Sequence, residues 1–465
     1  MRVYIHCLLS FLMMLMISCS RNESLYQTEE LSQMAHSARS RIAGTVSQPK
    51  DTVHFLMHWK GEGGRERFLM EHARLFRWTN QDVHLMITDI DDDAEIRALE
   101  TANYMENVSI FTANMIKKHQ FKYDIVPIED VNLEPHLHDP NWLRHHFVNL
   151  KNVPGFSETH HPNLIKAQDM IPGPMLQGYY WAIFVNTHLD SLMELNVKQT
   201  DMTIDDLVRY VHKIDIYNRA NNTNYAVFAE IENTYRTGNL FRQLFKSALG
   251  YHNNYPVYEY CTRAQRTAYL QSLRALEKIT GYKHAPLIKY YTSDDEVRKS
   301  MLLKDECVFL VDGTWMYNVW EGVDKSKIKK MMPAELPVIK PTSNYLGIIK
   351  EAHAVLRKSP VSKQAVAFMM LLSTKDAAED WVRLAKTPTG LQRHINIYGR
   401  GGDAYESFIH QMLDKYGTNL SYVLDDIYFG SKNPRVENVD ILSLLEGKES
   451  AIEIFNRVMA GIQMM

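Results

Sequence analysis

Histidines are concentrated in one stretch of the chain and raise the question of a metal site. Six of them lie between His136 and His161. The pair His136 and His138 would point both rings to one side of a strand, as metal ligands require. Adjacent pairs such as His145 and His146 diverge instead, and no cysteine or well-spaced carboxylate completes a tetrahedral set. The pattern therefore favours a solvated, histidine-rich loop without metal.

A run of carboxylates resembles a calcium-binding loop. Asp89, Asp91, Asp93 and Glu100 match its positions 1, 3, 5 and 12. Ala94 stands where the sharp turn of such a loop needs glycine, and a strand precedes the run where a helix should. Carboxylates at the start of a helix, next to the positive end of its dipole, explain the run better.

Other functional classes find little support. The chain has no Gly-x-Ser-x-Gly elbow, phosphate-cradling glycine loop or zinc-protease motif. A formal charge of −3 gives no basic face for nucleic acid. We expect neither catalysis nor a cofactor. A carboxylate pair for glycoside cleavage stays open, because 55 acidic residues offer many candidates and single out none.

Strands alternating with helices should position any site in the first third of the chain. Helix-spaced apolar residues follow the first strand, and a second helix should run through about Tyr104. This alternation predicts a parallel α/β sheet. The predicted strands are Thr52–His58, Val83–Thr88 and Tyr123–Ile128.

The later elements are less regular. Strands are predicted over Tyr179–Asn186 and Glu306–Val311. Helices are predicted over Thr203–His212, capped by Thr203 or Asp201, and over Ser362–Leu372. From about position 403 the chain should be mostly helical.

The N-terminus predicts a lipoprotein signal. Arg2 precedes an apolar run over Cys7–Ser18, which is too short to span a bilayer. It ends in Met-Ile-Ser-Cys, which resembles a bacterial lipobox with Cys19 as the lipidated residue. We expect a signal peptide over 1–18, a polar tether over 19–50, and an extracytoplasmic, membrane-anchored protein. An ordinary signal peptide is the alternative.

The order of several segments resembles the sugar-binding branch of the solute-binding proteins of ABC importers, the family of maltose-binding protein. The chain departs from the family at Val185, where tyrosine is common, and at Thr187, where lysine is. Residues 129–175 have no recognised counterpart. The matching segments are TVHFLMHWKGEGG, GYYWAIFVNTHLDSLMELNV with MTIDDLVRYVHKI, KDECVFLVDGTWMYNVW and SPVSKQAVAFMMLLSTKDAAEDWV.

This resemblance implies an α/β, two-lobed periplasmic-binding-protein-like fold with a hinge and an interlobe cleft. Lobe 1 would hold 51–184 and 346–395, and lobe 2 would hold 185–345 and 396–465. It also implies a monomer that captures a mono- or oligosaccharide and delivers it to ABC permease subunits. Hinge closure around the ligand is the expected motion.

A sugar needs aromatic rings for its apolar faces and polar groups for its hydroxyls. The resemblance makes Trp315, which follows a glycine at a strand end, the main stacking candidate. Tyr179 and Trp181 share one face of their strand, with Tyr180 on the other. The remaining candidates are Trp59, Lys60 and Glu62 after the first strand, and Glu232 and Tyr235 in the second lobe.

Two alternative functions remain open from the sequence. One is a lipid-anchored glycan-active enzyme, either a glycoside hydrolase or a lyase. The other is a sensor or adhesin lipoprotein that does not take part in transport. The sequence also leaves open whether Cys261 and Cys307 pair.

Overall fold

The structure is a computed structural model in which most of the chain after residue 50 is described. Residues 52–80 and the chain from 85 onward form the main unit. Asp51 and residues 81–84 belong to a separate small unit, in which the Asp51 N–H donates to the carbonyl of Asp82. The described residues are 51–99, 104–119, 121–128, 139–232, 236–250, 263–393, 403–421, 427–428, 435–436 and 438–463.

The strands follow one another along the whole described chain. They are β1 (Asp51–Met57), β2 (Val83–Asp89), β3 (Ile125–Pro127), β4 (Gln177–Asn186), β5 (Ala226–Ile231), β6 (Ile288–Tyr291), β7 (Cys307–Gly313), β8 (Met331–Ala334), β9 (Tyr345–Lys350), β10 (His353–Val355), β11 (Leu420–Ser421), β12 (Ile427–Tyr428) and β13 (Arg435–Val436).

Helices connect and cover these strands. They are α1 (Gly63–Thr79), α2 (Ala94–Arg97), α3 (Tyr104–Lys118), α4 (Pro140–His146), α5 (Pro162–Ala167), α6 (Thr187–Leu192), α7 (Ile204–Asn221), α8 (Asn239–Leu249), α9 (Arg263–Glu277), α10 (Asp294–Leu303), α11 (Met316–Asp324), α12 (Ser362–Leu371), α13 (Lys375–Ala385), α14 (Ala404–Tyr416), α15 (Asn438–Leu445) and α16 (Ala451–Gln463).

A small sheet has the strand order β10-β3-β1-β2. β1 and β3 run parallel, with Phe55 opposite Ile125, as the sequence predicts. β10 is antiparallel to β3, so the prediction of a purely parallel sheet is wrong. The reason is that β10 returns to this sheet from β9 through a two-residue connection rather than through a crossover helix.

A large mixed sheet has the order β11-β9-β4-β7-β5-β6, with β8 also paired to β4. β5 is parallel to both β6 and β7, and β4 is antiparallel to β7, β8 and β9. β4 pairs with β9 over 177–180 and with β7 over 181–185. Its inward side chains and those of β5 and β7 form the centre of the main hydrophobic core.

The prediction of one helix from about Asp89 through Tyr104 is wrong. The chain makes a short 3₁₀ turn over Ile90–Asp92, then the four-residue α2, and starts α3 at Tyr104. Asp89 accepts a hydrogen bond from the Asp91 N–H, and Asp93 accepts from two N–H groups of α2. These carboxylates are therefore caps. The described residues contain no group of side chains that could hold a metal ion.

The predicted cap of α7 is confirmed at Thr203. Its hydroxyl accepts from the Asp206 N–H, and the Asp206 carboxylate accepts from the Thr203 N–H, which forms a capping box. The helix then continues to Asn221, well beyond the predicted end, because buried apolar residues recur along one face.

The structure describes one of the two cysteines whose pairing the sequence leaves open. Cys307 is a buried free thiol at the start of β7, 3.5 Å from the Tyr291 hydroxyl. Burial raises the pKa of this thiol to about 11, so it is an unreactive core side chain. Cys261 lies outside the described residues. Among the described helices, none is long and apolar enough to cross a membrane.

The interpretation of residues 136–161 as a solvated loop is wrong for His160. Its ring is fully buried against Phe156, and its Nδ1–H donates to the Phe156 carbonyl at 2.9 Å. Its Nε2 accepts from the Met175 N–H at 3.3 Å. These two bonds require the neutral ring, because a protonated Nε2 cannot accept. His145 and His146 lie on α4, also not in a loop.

His160 should make the folded state sensitive to acid. Burial lowers the pKa of His160 to about 4, below the usual value near 6.5. Between these two pKa values the unfolded chain binds a proton at His160 and the folded chain does not. The free energy of unfolding therefore falls by about 3 kcal/mol as the pH drops from about 6.5 to 4. Urea unfolding at several pH values measures this slope.

The variant His160→Gln should show a shallower slope over the same pH range. His145→Gln is the matched control, because His145 is exposed on α4. Equal slopes in the wild type and His160→Gln would contradict the assignment of the acid sensitivity to His160.

Candidate functional site

Three aromatic side chains meet where β7 ends beside β4, two interior strands of the large sheet. The rings of Tyr179 and Trp315 are 4.6 Å apart between centroids, and those of Trp181 and Trp315 are 5.5 Å apart. The ring centroids of Tyr179 and Trp181 are 6.3 Å apart. All contacts are edge-to-face, the geometry that aromatic quadrupoles prefer. The three rings are half-buried, so part of each remains open to a ligand. We call them the aromatic platform.

The alternation of β4 places two of these rings on one side. Tyr179 and Trp181 point to the platform, as the sequence predicts, while Tyr180 points into the core and packs against Tyr345. Trp181 lies opposite Gly313 in the pairing of β4 with β7. Trp315 follows β7 by two residues, so strand pairing brings it to Trp181.

Gly313 makes room for the platform. A Cβ atom at this position would lie 1.9 Å from the Trp315 ring. Any side chain here would therefore push the ring aside. The glycine is needed for this close approach rather than for an unusual backbone conformation.

The backbone beneath the platform is held on both sides. The Thr314 N–H donates to the Tyr180 carbonyl at 2.9 Å, and the Tyr180 N–H donates to the Thr314 hydroxyl at 3.2 Å. The Tyr345 hydroxyl donates to the Trp181 carbonyl at 2.8 Å. These bonds fix the platform strands before any ligand arrives, as in a preformed site.

A buried ion pair lies near the end of β7, where the Asp312 side chain points to the face opposite to the platform rings. The Asp312 carboxylate is fully buried and pairs with the Arg236 guanidinium, which also binds Asp294 at 2.6 Å. Burial alone would lower the pKa of Arg236, but Asp312 and Asp294 outweigh it and raise that pKa. The cation is therefore already neutralised and is not free to select an anionic ligand.

The chain after β5 contains Arg236 and two predicted site residues. Glu230 accepts from the Thr237 N–H at 2.7 Å and so holds the 3₁₀ turn over Arg236–Gly238 against the strand end. Glu232 is exposed, and its N–H donates to the Tyr291 carbonyl. Tyr235 lies outside the described residues. The roles of Glu232 and Tyr235 stay predictions.

Sequence reasoning missed Asp312 and Arg236 as neighbours of the site. Asp312 stands just before the Gly-Thr-Trp segment, and Arg236 follows Tyr235 directly. Both residues are next to a predicted site segment in the sequence, and this proximity could have identified them as candidates. Their pairing joins positions 76 residues apart, which no local pattern indicates.

The loop after β1 presents its three candidates differently. Trp59 is only 1% exposed and packs edge-on against His353 at 4.9 Å and beside Trp381 at 5.4 Å. Lys60 is exposed and pairs with Asp92 at 2.7 Å. Contact of Trp59 and Lys60 with a ligand stays a prediction, which the buried position of Trp59 does not favour.

Glu62 lies just before α1 and pairs with Arg65 at 3.0 Å. It remains partly exposed. Its carboxylate therefore has capacity for further hydrogen bonds, since one carboxylate accepts several.

This loop and the platform are joined through α11. Trp315 precedes α11 directly, and a Cβ on Gly322 would lie 2.5 Å from the Gly61 carbonyl oxygen. Seven residues separate Trp315 from Gly322, which is about 10 Å along a helix. Arg67 of α1 binds Glu321 of α11 at 2.8 and 2.9 Å. The two groups of candidates therefore lie at opposite ends of one helix.

The platform offers flat apolar surfaces, indole N–H donors and nearby backbone groups. Such a combination suits a ligand with apolar C–H faces and hydroxyl groups. Because Asp312 is paired with Arg236, it does not form an exposed acid–base pair with a second carboxylate.

The comparisons with known proteins rest on structure. No family model matches the chain, and no curated protein matches it in sequence. The GacH receptor of Streptomyces glaucescens, solved unliganded and with acarbose, is similar at 12% identity and a TM-score of 0.59. The match covers 88% of this chain and 96% of that one.

Two further solved structures are similar over comparable lengths. RafE from Streptococcus pneumoniae matches with 12% identity and a TM-score of 0.58, covering 90% of this chain and 98% of that one. The ABC substrate-binding protein Lmo0181 from Listeria monocytogenes, in complex with cycloalternan, matches with 11% identity and a TM-score of 0.56, covering 89% and 98%. The chain therefore has a mixed α/β fold that matches the periplasmic-binding-protein-like fold of these neighbours.

Proposed function

We propose that the chain is a lipid-anchored substrate-binding protein of an ABC transporter. It captures a mono- or oligosaccharide between two lobes, 51–184 with 346–395 and 185–345 with 396–465, and delivers it to the permease subunits. It acts as a monomer outside the cytoplasm, without catalysis or cofactor.

The aromatic platform is the observation that carries this proposal. Tyr179, Trp181 and Trp315 form a half-exposed cluster on a backbone that hydrogen bonds hold in place. Rigid rings stack on the apolar faces of a sugar with little loss of conformational entropy. The Asp312–Arg236 pair near the end of β7 is buried and already neutralised, so it offers no free charge to a ligand.

The structural neighbours support a carbohydrate as the ligand class. They include complexes with acarbose, raffinose and cycloalternan, and a maltose-bound protein of T. maritima. The lipid anchor is supported by the apolar run that ends at Cys19 and by the polar segment 19–50 that follows.

Thermal unfolding against a panel of mono- and oligosaccharides tests the ligand class. A sugar at a hundred times its dissociation constant should stabilise the wild type by about 2.7 kcal/mol, seen as a rise in Tm. Trp315→Ala should weaken binding at least about 30-fold, because a central stacking ring contributes about 2 kcal/mol or more. Titration of the best sugar by calorimetry measures this loss.

Trp78→Ala is the matched control, since Trp78 is 69% exposed on α1 and is not one of the three platform residues. It should bind the sugar as the wild type does. Equal losses in both variants, or no Tm shift with any sugar, would refute the platform as a sugar site. Conversion of the sugar during incubation would identify an enzyme instead.

Gly313→Ala should disable the platform without unfolding the protein. The added methyl group collides with the Trp315 ring, which is a side chain and can swing away. We expect at least a tenfold loss of sugar affinity with a small change in Tm. Gly281→Ala is the control, because a Cβ there meets nothing within 4 Å. Unchanged affinity in Gly313→Ala would contradict the role of Trp315.

Mass spectrometry of the mature N-terminus tests the anchor. After expression in a bacterial host, Cys19 should be the first residue and should carry acyl chains. Cys19→Ala should lose the lipid and leave the membrane fraction, whereas Cys7→Ala, within the apolar run, should keep both. An unmodified wild-type N-terminus would refute the anchor and leave the sugar site untouched.

A further inference from the structure

A groove of about 610 Å³ lies on the large-sheet side of the molecule, alongside α9. The start of α7, the segment after β8 and α16 form its other walls, through Ile204, Ile339 and Phe455. The Ala451 N–H donates to Glu277 at 2.8 Å and fixes the start of α16 against α9. The Ile339 N–H donates to the Ser247 hydroxyl at 2.9 Å. The walls are therefore held together by hydrogen bonds.

The groove is strongly cationic in a protein that is not. Four cations line it, against one carboxylate, Asp205, which leaves a formal charge of +3. The whole chain has a formal charge of −3. The charge is therefore a local feature of this surface. The four cations are Arg263, Arg266, Arg274 and Lys278.

Three of these cations lack an ionic partner among the residues that the structure describes. Lys278 pairs with Asp205 at 3.0 Å, whereas Arg263, Arg266 and Arg274 form no ion pair with any residue that the structure describes. The Arg266 Nε atom is shielded from solvent and has no hydrogen-bond partner there. Guanidinium groups bind carboxylates through charge-assisted hydrogen bonds, so the groove is suited to a ligand that supplies carboxylate acceptors.

The floor of the groove is apolar. Leu270 lies between the cations on α9, and Ile339 and Phe455 face it from the other walls. Phe455 packs on the Tyr269 ring at 6.0 Å, which anchors it in the core. An occupant must therefore present apolar groups to the floor as well as negative charge to the rim.

We propose that this groove docks an acidic, amphipathic peptide segment of a partner protein. Arg263 and Arg274 are 11 positions apart, about 16 Å along the helix, which five residues of an extended peptide span. Alternate side chains of such a peptide place carboxylates on the arginines and apolar groups on the floor. A flat membrane surface does not enter a groove, and an anionic glycan has no side chains for the floor. The proposal is independent of the sugar site.

Fluorescence anisotropy with the full chain tests the groove. The probe is a labelled twelve-residue peptide of alternating Glu and Leu, and matched peptides of alternating Glu–Ser and Lys–Leu are its comparisons. The Glu–Leu peptide should bind at least tenfold more tightly than either. The double variant Arg266→Gln, Arg274→Gln should lose at least tenfold in affinity, and Leu270→Ser should lose several-fold.

The control is Arg219→Gln with Lys375→Gln, which removes the same charge from exposed positions outside the groove. It should bind the peptide as the wild type does, and all variants should keep the wild-type Tm. Equal binding of the Glu–Ser peptide would overturn the amphipathic segment. The proposal of a peptide occupant would be overturned if the arginines bound phosphatidylglycerol vesicles or polygalacturonate in preference to the Glu–Leu peptide. It would also be overturned if the Glu–Leu peptide did not bind.

Discussion

Strand β4 is the element on which the candidate site depends. Its ten residues pair with β9 at one end and with β7 at the other, so one strand fixes the position of both neighbours. Because side chains alternate along a strand, Tyr179 and Trp181 face the platform and Tyr180 fills the core. A slip of one residue would exchange these faces and bury the platform rings. The register of β4 with β7 therefore keeps the platform rings half-buried at the surface while Tyr180 fills the core.

The buried charges near the end of β7 follow from the same register. Asp312 is an inward residue at the end of β7 and is fully buried, so it needs a cation. Arg236 supplies it, and Glu230 holds the turn that carries Arg236. The strand that positions Trp315 therefore carries a buried charge that is already paired, and this charge leaves no unpaired group for a ligand to satisfy.

The sequence predicts the parts of the molecule that local patterns control. Strand positions, the alternation of Tyr179 and Trp181 and the Thr203 cap depend on neighbours within a few residues. The errors share a different cause. His160 and Asp93 take part in contacts with distant residues, Met175 in one case and Tyr123 in the other, and so do not form a solvated loop or a continuous helix start. The Asp312–Arg236 pair and the direction of β10 likewise depend on the tertiary fold. No spacing in the chain encodes them.

The sheet region that carries the platform and the groove along α9 differ in how their arginines are paired. Near the end of β7, the buried cation Arg236 has two carboxylates within reach. In the groove along α9, three arginines have none among the described residues, and one guanidinium nitrogen is shielded from water as well. An exposed arginine without a partner costs a protein little, because water solvates it. A shielded donor is different, since neither water nor protein satisfies it. An incoming carboxylate can therefore pair with the arginines of the groove, whereas a ligand of the platform gains from apolar contact.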